Sequence, residues 1–437
     1  MAAAGKLHRV LGLAFGLAVT VGITIGAGIL RRPGAVAGAL GDTWLILLMW
    51  TLGGVYALLG ALVVAELATA LPEAGGFFVW SHRAIGPAAG FAIGWCDFLA
   101  NAVTVAYCAV SIGELSLVLL GLSAASVPAI AVTLVLSFGA VQWLGIRSGS
   151  RTQQITSSLL AVSYLSLVAA AFVFASPSGN AEPIMRREFA LGLFGALVFA
   201  MQSIVVTYDG WYQPAYFAEE MEQPHRDLPR SLVAGVFTVT AVFLLVNIAL
   251  LYALSPRQLA ASELPAADLA AKLFGANGQR VISVLSLFAL PPTINAALLS
   301  GSRVLFGLSR RGLFLGGAAA VNHGGTPHVA LAMTAAMAIA LVLSGTFEQL
   351  LAIAGFFFVV NHCSAFASLF VLRWRAPQLS RPFPVPGYPF TPAVVLLAGV
   401  GFLAGALISD TENSLKAAGF LALCIPVYAV FVRSQGT

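Results

Sequence analysis

The sequence predicts an all-α polytopic membrane protein with twelve transmembrane helices, for two compositional reasons and one of pattern. Hydrophobic residues make up 59% of the chain and charged residues only 9%, whereas a soluble domain carries about 25% charged residues. The mean hydropathy is +0.93. The apolar runs are continuous and do not alternate as the strands of a membrane barrel would, so helices are the expected spanning elements.

Twelve stretches are apolar enough to cross a bilayer, which takes about 20 residues in a helix. In chain order they cover approximately residues 10–30, 43–71, 88–120, 127–144, 155–174, 189–217, 232–254, 281–308, 327–343, 350–372, 393–408 and 415–432. The loops between them are short, so the whole chain, residues 1–437, is interpreted as one membrane domain.

The basic residues predict the orientation of the bundle. If the chain starts in the cytoplasm, fourteen of the 22 lysines and arginines lie on the cytoplasmic side and eight on the other. The positive-inside rule then predicts that both termini are cytoplasmic, in a plasma or inner membrane. The net charge of +5 follows from this topology and gives no reason to expect a nucleic-acid partner.

Motifs of enzymes and of metal sites are missing from the sequence. The four cysteines, Cys96, Cys108, Cys363 and Cys424, fall within predicted spans without metal-binding spacing, and the histidines lie mostly in or beside loops. The chain contains no H-E-x-x-H, P-loop or G-x-S-x-G motif. We therefore predict neither an enzyme nor a cofactor.

The first span is predicted to be broken near residues 26–28, where two glycines flank Ala27. Glycine weakens a helix by about 1 kcal/mol relative to alanine, and a break leaves N–H groups that a bound anion would satisfy. The alternative is close helix packing through Gly22-x-x-x-Gly26.

The sixth span is predicted to be broken at Asp209 and Gly210, with Pro214 just beyond. Ionisable residues inside membranes are costly, and they line a pathway or meet a partner. Asp209 is therefore interpreted either as a substrate contact or as a helix-end aspartate bonded to free N–H groups.

The positions of the two breaks fit a 5+5 inverted repeat with broken helices one and six. The first repeat would cover residues 10–174 and the second 189–372, and two extra helices at 393–432 would lie outside them.

Several separated motifs together resemble the amino acid–polyamine–organocation superfamily, in particular its L-type amino acid transporter branch. They occur in order over nearly the whole chain: Ile-Gly-Ala-Gly-Ile at 25–29, Ala-Glu-Leu at 65–67, Pro-Glu-Ala-Gly-Gly at 72–76, Gly-Trp at 94–95, Gly-Ile-Arg at 145–147, Gln-Gln at 153–154, Tyr-Asp-Gly-Trp at 208–211, Glu-Glu at 219–220, Leu-Pro-Arg at 228–230, Ser-Arg-Val-Leu-Phe at 302–306, Ser-Arg-Arg-Gly at 309–312 and Arg-Pro-Phe-Pro-Val-Pro-Gly-Tyr-Pro at 381–389.

The resemblance implies a substrate site where the two breaks meet. By carry-over, main-chain N–H groups around Ala27, Gly28 and Ile29 would bind the substrate carboxylate. Main-chain carbonyls would hold the α-ammonium group, and they belong to Thr24, Val206, Thr207 and Asp209.

The chain departs from the family pattern at three points. Ala27 replaces a frequent serine, and helix five contains no lysine. Val206 occupies the position of a bulky aromatic gate, so occlusion would fall to Tyr208 or Trp211.

Other polar residues within the spans have packing as their main alternative. Tyr107 could line the pathway and Thr293 could contribute to a weak cation site, although aromatic packing and a backbone-satisfying hydroxyl are the simpler interpretations. Glu66 is interpreted as a loop anchor. Asp97, Glu114, Asn295 and Asn361 are interpreted as interhelical hydrogen-bonding groups.

The resulting prediction is a secondary-active transporter of amino acids, principally neutral ones, that works by alternating access as an exchanger or an ion-coupled symporter. Uptake of another nitrogenous solute, such as a polyamine or nucleobase, is the alternative. A channel and a membrane-embedded enzyme are minor alternatives, because neither polar rings nor a nucleophile–base pair is visible. The predicted partners are the amino acid and the lipid bilayer, and the residues make no prediction for an accessory subunit.

Overall fold

The computed structural model describes residues 5–26, 28–178, 192–345, 347–409 and 411–433, and within these ranges it contains α-helices and no β-strand. The helices are α1 Leu13–Thr24, α2 Gly28–Leu40, α3 Thr43–Ala70, α4 Phe77–Ala84, α5 Pro87–Leu120, α6 Val127–Trp143, α7 Ile146–Phe174, α8 Gly192–Tyr208, α9 Pro224–Ala253, α10 Pro256–Ala261, α11 Pro265–Phe274, α12 Gly278–Ala289, α13 Pro291–Arg310, α14 His328–Ser344, α15 Phe347–Arg375, α16 Phe390–Ser409 and α17 Thr411–Arg433. The predicted all-α class is confirmed.

A helix overlaps each of the predicted spans. Among the described residues, nine helical stretches are long and apolar enough to cross a membrane, or ten if the bent pair α1 and α2 forms one span. Helix α14 is apolar but shorter. The protein is thus a multi-pass membrane protein, while twelve crossings and the division at residues 10–174, 189–372 and 393–432 stay predictions.

Three helices are longer than the apolar runs that predicted them. Helix α2 continues beyond residue 30 through Arg31 and Arg32 to Leu40. Helix α7 begins at Ile146 and helix α9 at Pro224, before the apolar runs that start at residues 155 and 232. In each case the helix extends beyond the apolar run, which is possible because polar and basic side chains near a helix end reach the interface.

Small residues allow the helices around the two breaks to approach closely. Helix α1 packs on α9, where a Cβ atom at Gly16 would collide with Ser231 and one at Gly235 with Thr20. At Gly60 of α3, a Cβ atom would lie 2.7 Å from the Trp211 ring, just after the second break. This use of small residues is the usual basis of helix association in membranes.

Ion pairs join the segments at the end of the bundle where α1 begins, which we call the inner end. Arg310 of α13 donates two hydrogen bonds of 2.7 Å to Glu219, and the amide N–H of Ala74 donates to the same carboxylate at 3.1 Å. Arg311 pairs with Glu73. The short segments of this end are therefore held against α13.

Glu66, at the inner end of α3, anchors the chain between α15 and α16. Its carboxylate accepts hydrogen bonds from Arg373 at 2.9 and 2.5 Å and from the amide N–H of Val385 at 2.6 Å, and Arg381 lies 3.2 Å away. These contacts agree with the loop-anchoring interpretation.

The start of α1 is joined to the chain after the second break by main-chain contacts. The amide N–H groups of Val10 and Leu11 both donate to the carbonyl oxygen of Glu220 at 3.0 Å. The amide N–H of Glu222 donates in return to the carbonyl oxygen of Leu11 at 2.8 Å.

Candidate substrate site

The first predicted break lies between α1 and α2, whose axes differ by 50°. Ile25 leaves the helical conformation with ψ 66°, and the amide N–H of Gly26 donates to the carbonyl oxygen of Thr24 at 2.9 Å. Ala27 lies outside the described residues. Helix α2 begins at Gly28, and the first N–H groups of a helix have no acceptor within it, so this end can bind an anion.

The second predicted break follows α8, which ends at Tyr208. Residues 209–212 form a turn, and a 3-10 helix then runs over Gln213–Glu220. Gly210 has φ +112°, a region that side chains other than hydrogen strongly disfavour. Both breaks therefore occur where the glycines predicted them.

The two breaks touch each other. A Cβ atom at Gly210 would lie 2.8 Å from Ile23 Cγ2 and 3.1 Å from Thr24 Oγ1, so only glycine allows this approach. A Cβ atom at Gly28 would lie 3.3 Å from Thr207 Cγ2. The structure thus brings together the main chains of helix one and helix six that the sequence analysis selected.

The hydroxyl groups near the contact differ in their bonding. Thr207 Oγ1 donates to the carbonyl oxygen of Ser203 at 2.8 Å. Thr24 is 2% exposed, and its Oγ1 finds no partner among the described residues. A buried polar atom without a partner is costly, so Thr24 has an unused hydrogen-bonding group beside the break. Ile29 is buried, whereas Val206 is 37% exposed.

The side chain of Asp209 extends towards α15. Tyr212 donates a hydrogen bond of 3.2 Å to Asp209 Oδ2, and Asp209 Oδ1 lies 3.4 Å from Nε2 of His362. His362 is buried in the middle of α15. The sequence analysis placed the histidines mostly in or beside loops and did not select His362 as a site residue. A histidine inside the predicted span 350–372 is itself an intramembrane ionisable residue, which is the signal that could have identified it.

Aromatic rings surround this pair. The His362 ring lies 5.0 Å from that of Tyr212, 5.2 Å from that of Trp211 and 5.7 Å from that of Phe77. Trp211 is therefore part of the wall around His362.

Helix α7 supports the first break from the other side. The Tyr164 hydroxyl donates to the carbonyl oxygen of Gly26 at 3.1 Å, and the Ser157 hydroxyl donates to that of Ala18 at 2.7 Å. The sequence analysis missed both residues. Because residues seven apart lie on the same face of a helix, Ser157 and Tyr164 share one face of α7. This shared polar face is the sequence pattern that could have identified them.

Thr293 lies where the simpler interpretation expected it. Its hydroxyl donates to the carbonyl oxygen of Gly22 at 3.3 Å, which is a backbone-satisfying contact beside the start of α13 at Pro291.

Within the described ranges, no three His, Cys, Asp or Glu side chains gather closely enough to hold a metal ion.

The other gate and pathway candidates differ in position. Tyr208 is buried, donates to the carbonyl oxygen of Trp50 at 3.0 Å and packs on Phe243, so its contacts are those of a packing residue and give no support to a gate. Tyr107 of α5 is only partly buried and interacts electrostatically with Arg31 of α2. It therefore lies near the outer half of helix one.

Two of the four polar groups interpreted as interhelical hydrogen-bonding groups have such partners, whereas Glu114 is exposed. Both carboxylate oxygens of Asp97 accept from the Tyr216 hydroxyl at 2.8 Å. Asn295 donates to the carbonyl oxygen of Gly149 at 3.1 Å. Neither side-chain atom of Asn361 finds a partner among the described residues.

Comparison with known proteins identifies the family. The sequence model of the amino acid permease family matches residues 8–431, so the chain belongs to that family. It is 30% identical to the serine/threonine exchanger SteT of Bacillus subtilis (strain 168), over 93% of each chain.

Two mammalian relatives are similar over most of their length. The b(0,+)-type amino acid transporter 1 of Mus musculus is 27% identical over 93% of this chain and 84% of its own. The Asc-type amino acid transporter 1 of Mus musculus is 28% identical over 98% of this chain and 82% of its own. The resemblance found in the motifs is confirmed, and the chain is an amino acid transporter of the permease family, which indicates a transport protein and not an enzyme.

Proposed function

We propose that this protein carries neutral amino acids by alternating access, with the substrate bound between the two helix breaks. The observation that supports this most directly is the contact between the breaks, where Gly210 meets Thr24 and Gly28 meets Thr207. Main-chain groups of both broken helices are available at that contact, as in transporters whose discontinuous helices bind substrate near the bilayer centre.

The two charges of an amino acid suit the two sides of this contact. The carboxylate would accept from N–H groups of Ala27, Gly28 and Ile29, where the positive end of the α2 dipole adds to the attraction. The ammonium group would donate to carbonyls of Thr24, Val206, Thr207 and Asp209, because the carboxyl end of α8 is the negative end of its dipole. The unpaired Thr24 hydroxyl is a further candidate contact.

The surroundings of Asp209 favour neutral substrates. Its carboxylate accepts a hydrogen bond from Tyr212 and lies 3.4 Å from His362, so it is directed towards α15. The name of the Bacillus subtilis relative, a serine/threonine exchanger, supports small neutral substrates and exchange as the mode. Ion-coupled symport is the other mode.

The orientation is also part of the proposal. We propose that the inner end of the bundle and both chain termini face the cytoplasm, in a plasma or inner membrane. The excess of basic residues on that side supports this orientation.

Uptake of radiolabelled serine into proteoliposomes tests the function. We expect uptake that internal serine accelerates and that external neutral amino acids compete with. Amino acid methyl esters and decarboxylated amines should not compete, because they lack the carboxylate. Competition by polyamines or nucleobases, together with indifference to amino acids, would favour the alternative solute and refute the proposal.

A further inference from the structure

Buried polar atoms without partners gather between α3, the second break and α15. They are Oδ1 of Asp209, both ring nitrogens of His362 and the hydroxyl of Tyr56, none of which has a hydrogen-bond partner among the described residues. The side chains of Asp209 and His362 are 15% and 2% exposed. Such a group of unpaired atoms calls for a ligand, because each lone polar atom costs free energy.

A single proton would satisfy the Asp209–His362 pair. With one proton, the pair is either a carboxylic acid beside a neutral imidazole or a carboxylate beside an imidazolium, and its net charge is zero in both forms. Loss of the proton leaves a carboxylate beside a neutral imidazole, with one uncompensated negative charge. A buried lone charge is far more costly than a neutral pair, so the site favours the protonated form while the two side chains stay close.

We propose that Asp209 and His362 form the binding site of a coupling proton, which enters with the amino acid during net uptake. This inference rests on the transport function proposed above. Asp209 directly precedes Gly210, which touches Thr24 at the first break, so substrate and proton sites share one short segment. Movement of that segment relative to α15 would lengthen the 3.4 Å contact and release the proton.

The neighbouring titratable groups agree with a single-proton site. Those that interact electrostatically with Asp209 are Tyr56 of α3, Tyr212 and Tyr216 after the break, and Asp97 of α5, while Cys363 of α15 interacts with Tyr56. The carboxylate of Asp97 is bound by Tyr216 through both oxygens, so it belongs to a separate interaction.

The test uses proteoliposomes that contain a pH-sensitive dye, with the membrane potential held at zero by valinomycin and equal potassium. For the wild type, added serine should acidify the interior, and an inward gradient of one pH unit should drive roughly tenfold serine accumulation at 1:1 coupling. His362→Gln should lose both effects and keep serine–serine exchange, which moves no net proton. His225→Gln, an exposed histidine at the start of α9, is the matched control and should behave as the wild type.

Exchange by the wild type without acidification or accumulation would overturn the proton site alone. Full accumulation by His362→Gln would do the same. If the wild type does not move serine at all, the proposed function fails with it, so the two failures are distinguishable. Serine binding isotherms of the purified wild type over a series of pH values give a readout that needs no variant: the affinity is expected to fall as the pH rises and the site loses its proton, and an affinity independent of pH contradicts the site.

Discussion

The guanidinium group of Arg303 donates two hydrogen bonds of 2.9 Å to the carboxylate of Glu220, and neither side chain is exposed to solvent. Arg303 belongs to α13, and Glu220 ends the 3-10 helix after the second break. The same arginine contacts the hydroxyl of Ser302 at 3.0 Å. This buried ion pair therefore fixes the inner half of helix six on α13.

Removal of one member of this pair should strongly destabilise the protein. Glu220→Gln leaves the Arg303 charge buried without a counter-charge, a change that costs about 3–5 kcal/mol in buried pairs. The thermal unfolding temperature in detergent should fall clearly. The matched control is Glu412→Gln, which removes the exposed pair with Lys416 and should cost about 1 kcal/mol or less. Equal unfolding temperatures for the two variants would contradict the importance of the buried pair.

Substitution of Gly28 tests the contact between the breaks. In Gly28→Val the branched side chain would press on Thr207, because a Cβ atom alone would lie 3.3 Å from its Cγ2. We expect serine uptake to fall to background while the protein remains inserted. Gly139→Val is the steric control, since a Cβ atom there meets nothing within 4 Å. Serine binding of normal affinity by purified Gly28→Val would exclude helix one from the site.

Asp209→Asn separates main-chain from side-chain recognition. If main-chain carbonyls hold the ammonium group, the affinity for neutral amino acids should fall by less than about tenfold, since these acceptors remain. If the carboxylate is the counter-charge, its loss should cost several kcal/mol, because a buried cation would lose its partner. Binding isotherms for serine and lysine decide this, and we expect any lysine binding to suffer more. Complete loss of serine binding by the folded variant would refute main-chain recognition.

Single cysteines test the orientation. In a background without the four native cysteines, a cysteine at exposed Gln223 should resist an impermeant thiol reagent in intact cells. A cysteine at exposed Ala261 of α10 should react, because the basic residues predict that this segment lies outside. The reverse labelling pattern would invert the topology.

The sequence predicted the breaks because they interrupt an otherwise apolar pattern. The glycines near Ala27 and the aspartate inside the sixth span stand out in the sequence alone, without knowledge of which helices pack against them. The contact between the breaks followed from their comparable positions in the two halves. Helix ends were less predictable, as the continuation of α2 through Arg31 shows, because hydropathy measures apolarity and not helix length.

The partners of the polar side chains could not be predicted in the same way. Asp209 meets His362, and Tyr164 meets the carbonyl of Gly26, across large separations in sequence. Such pairs depend on how helices are rotated about their axes, and a period of 3.6 residues in a uniformly apolar span leaves that rotation undetermined. Tyr208 illustrates the consequence: the valine at the position of the family's aromatic gate suggested Tyr208 as a gate, but the packing of its ring against Trp50 could not be derived from the sequence.

Main-chain hydrogen bonds join Val10 and Leu11, just before α1, to the segment after the second break. They link the inner half of helix one to the inner half of helix six. Because the donors of these bonds are main-chain N–H groups, only a substitution by proline removes one of them directly. If the protein works by the alternating access proposed above, a movement of one half away from α13 would carry the other half with it. The two sides of the proposed substrate site would then separate together and not in two independent steps.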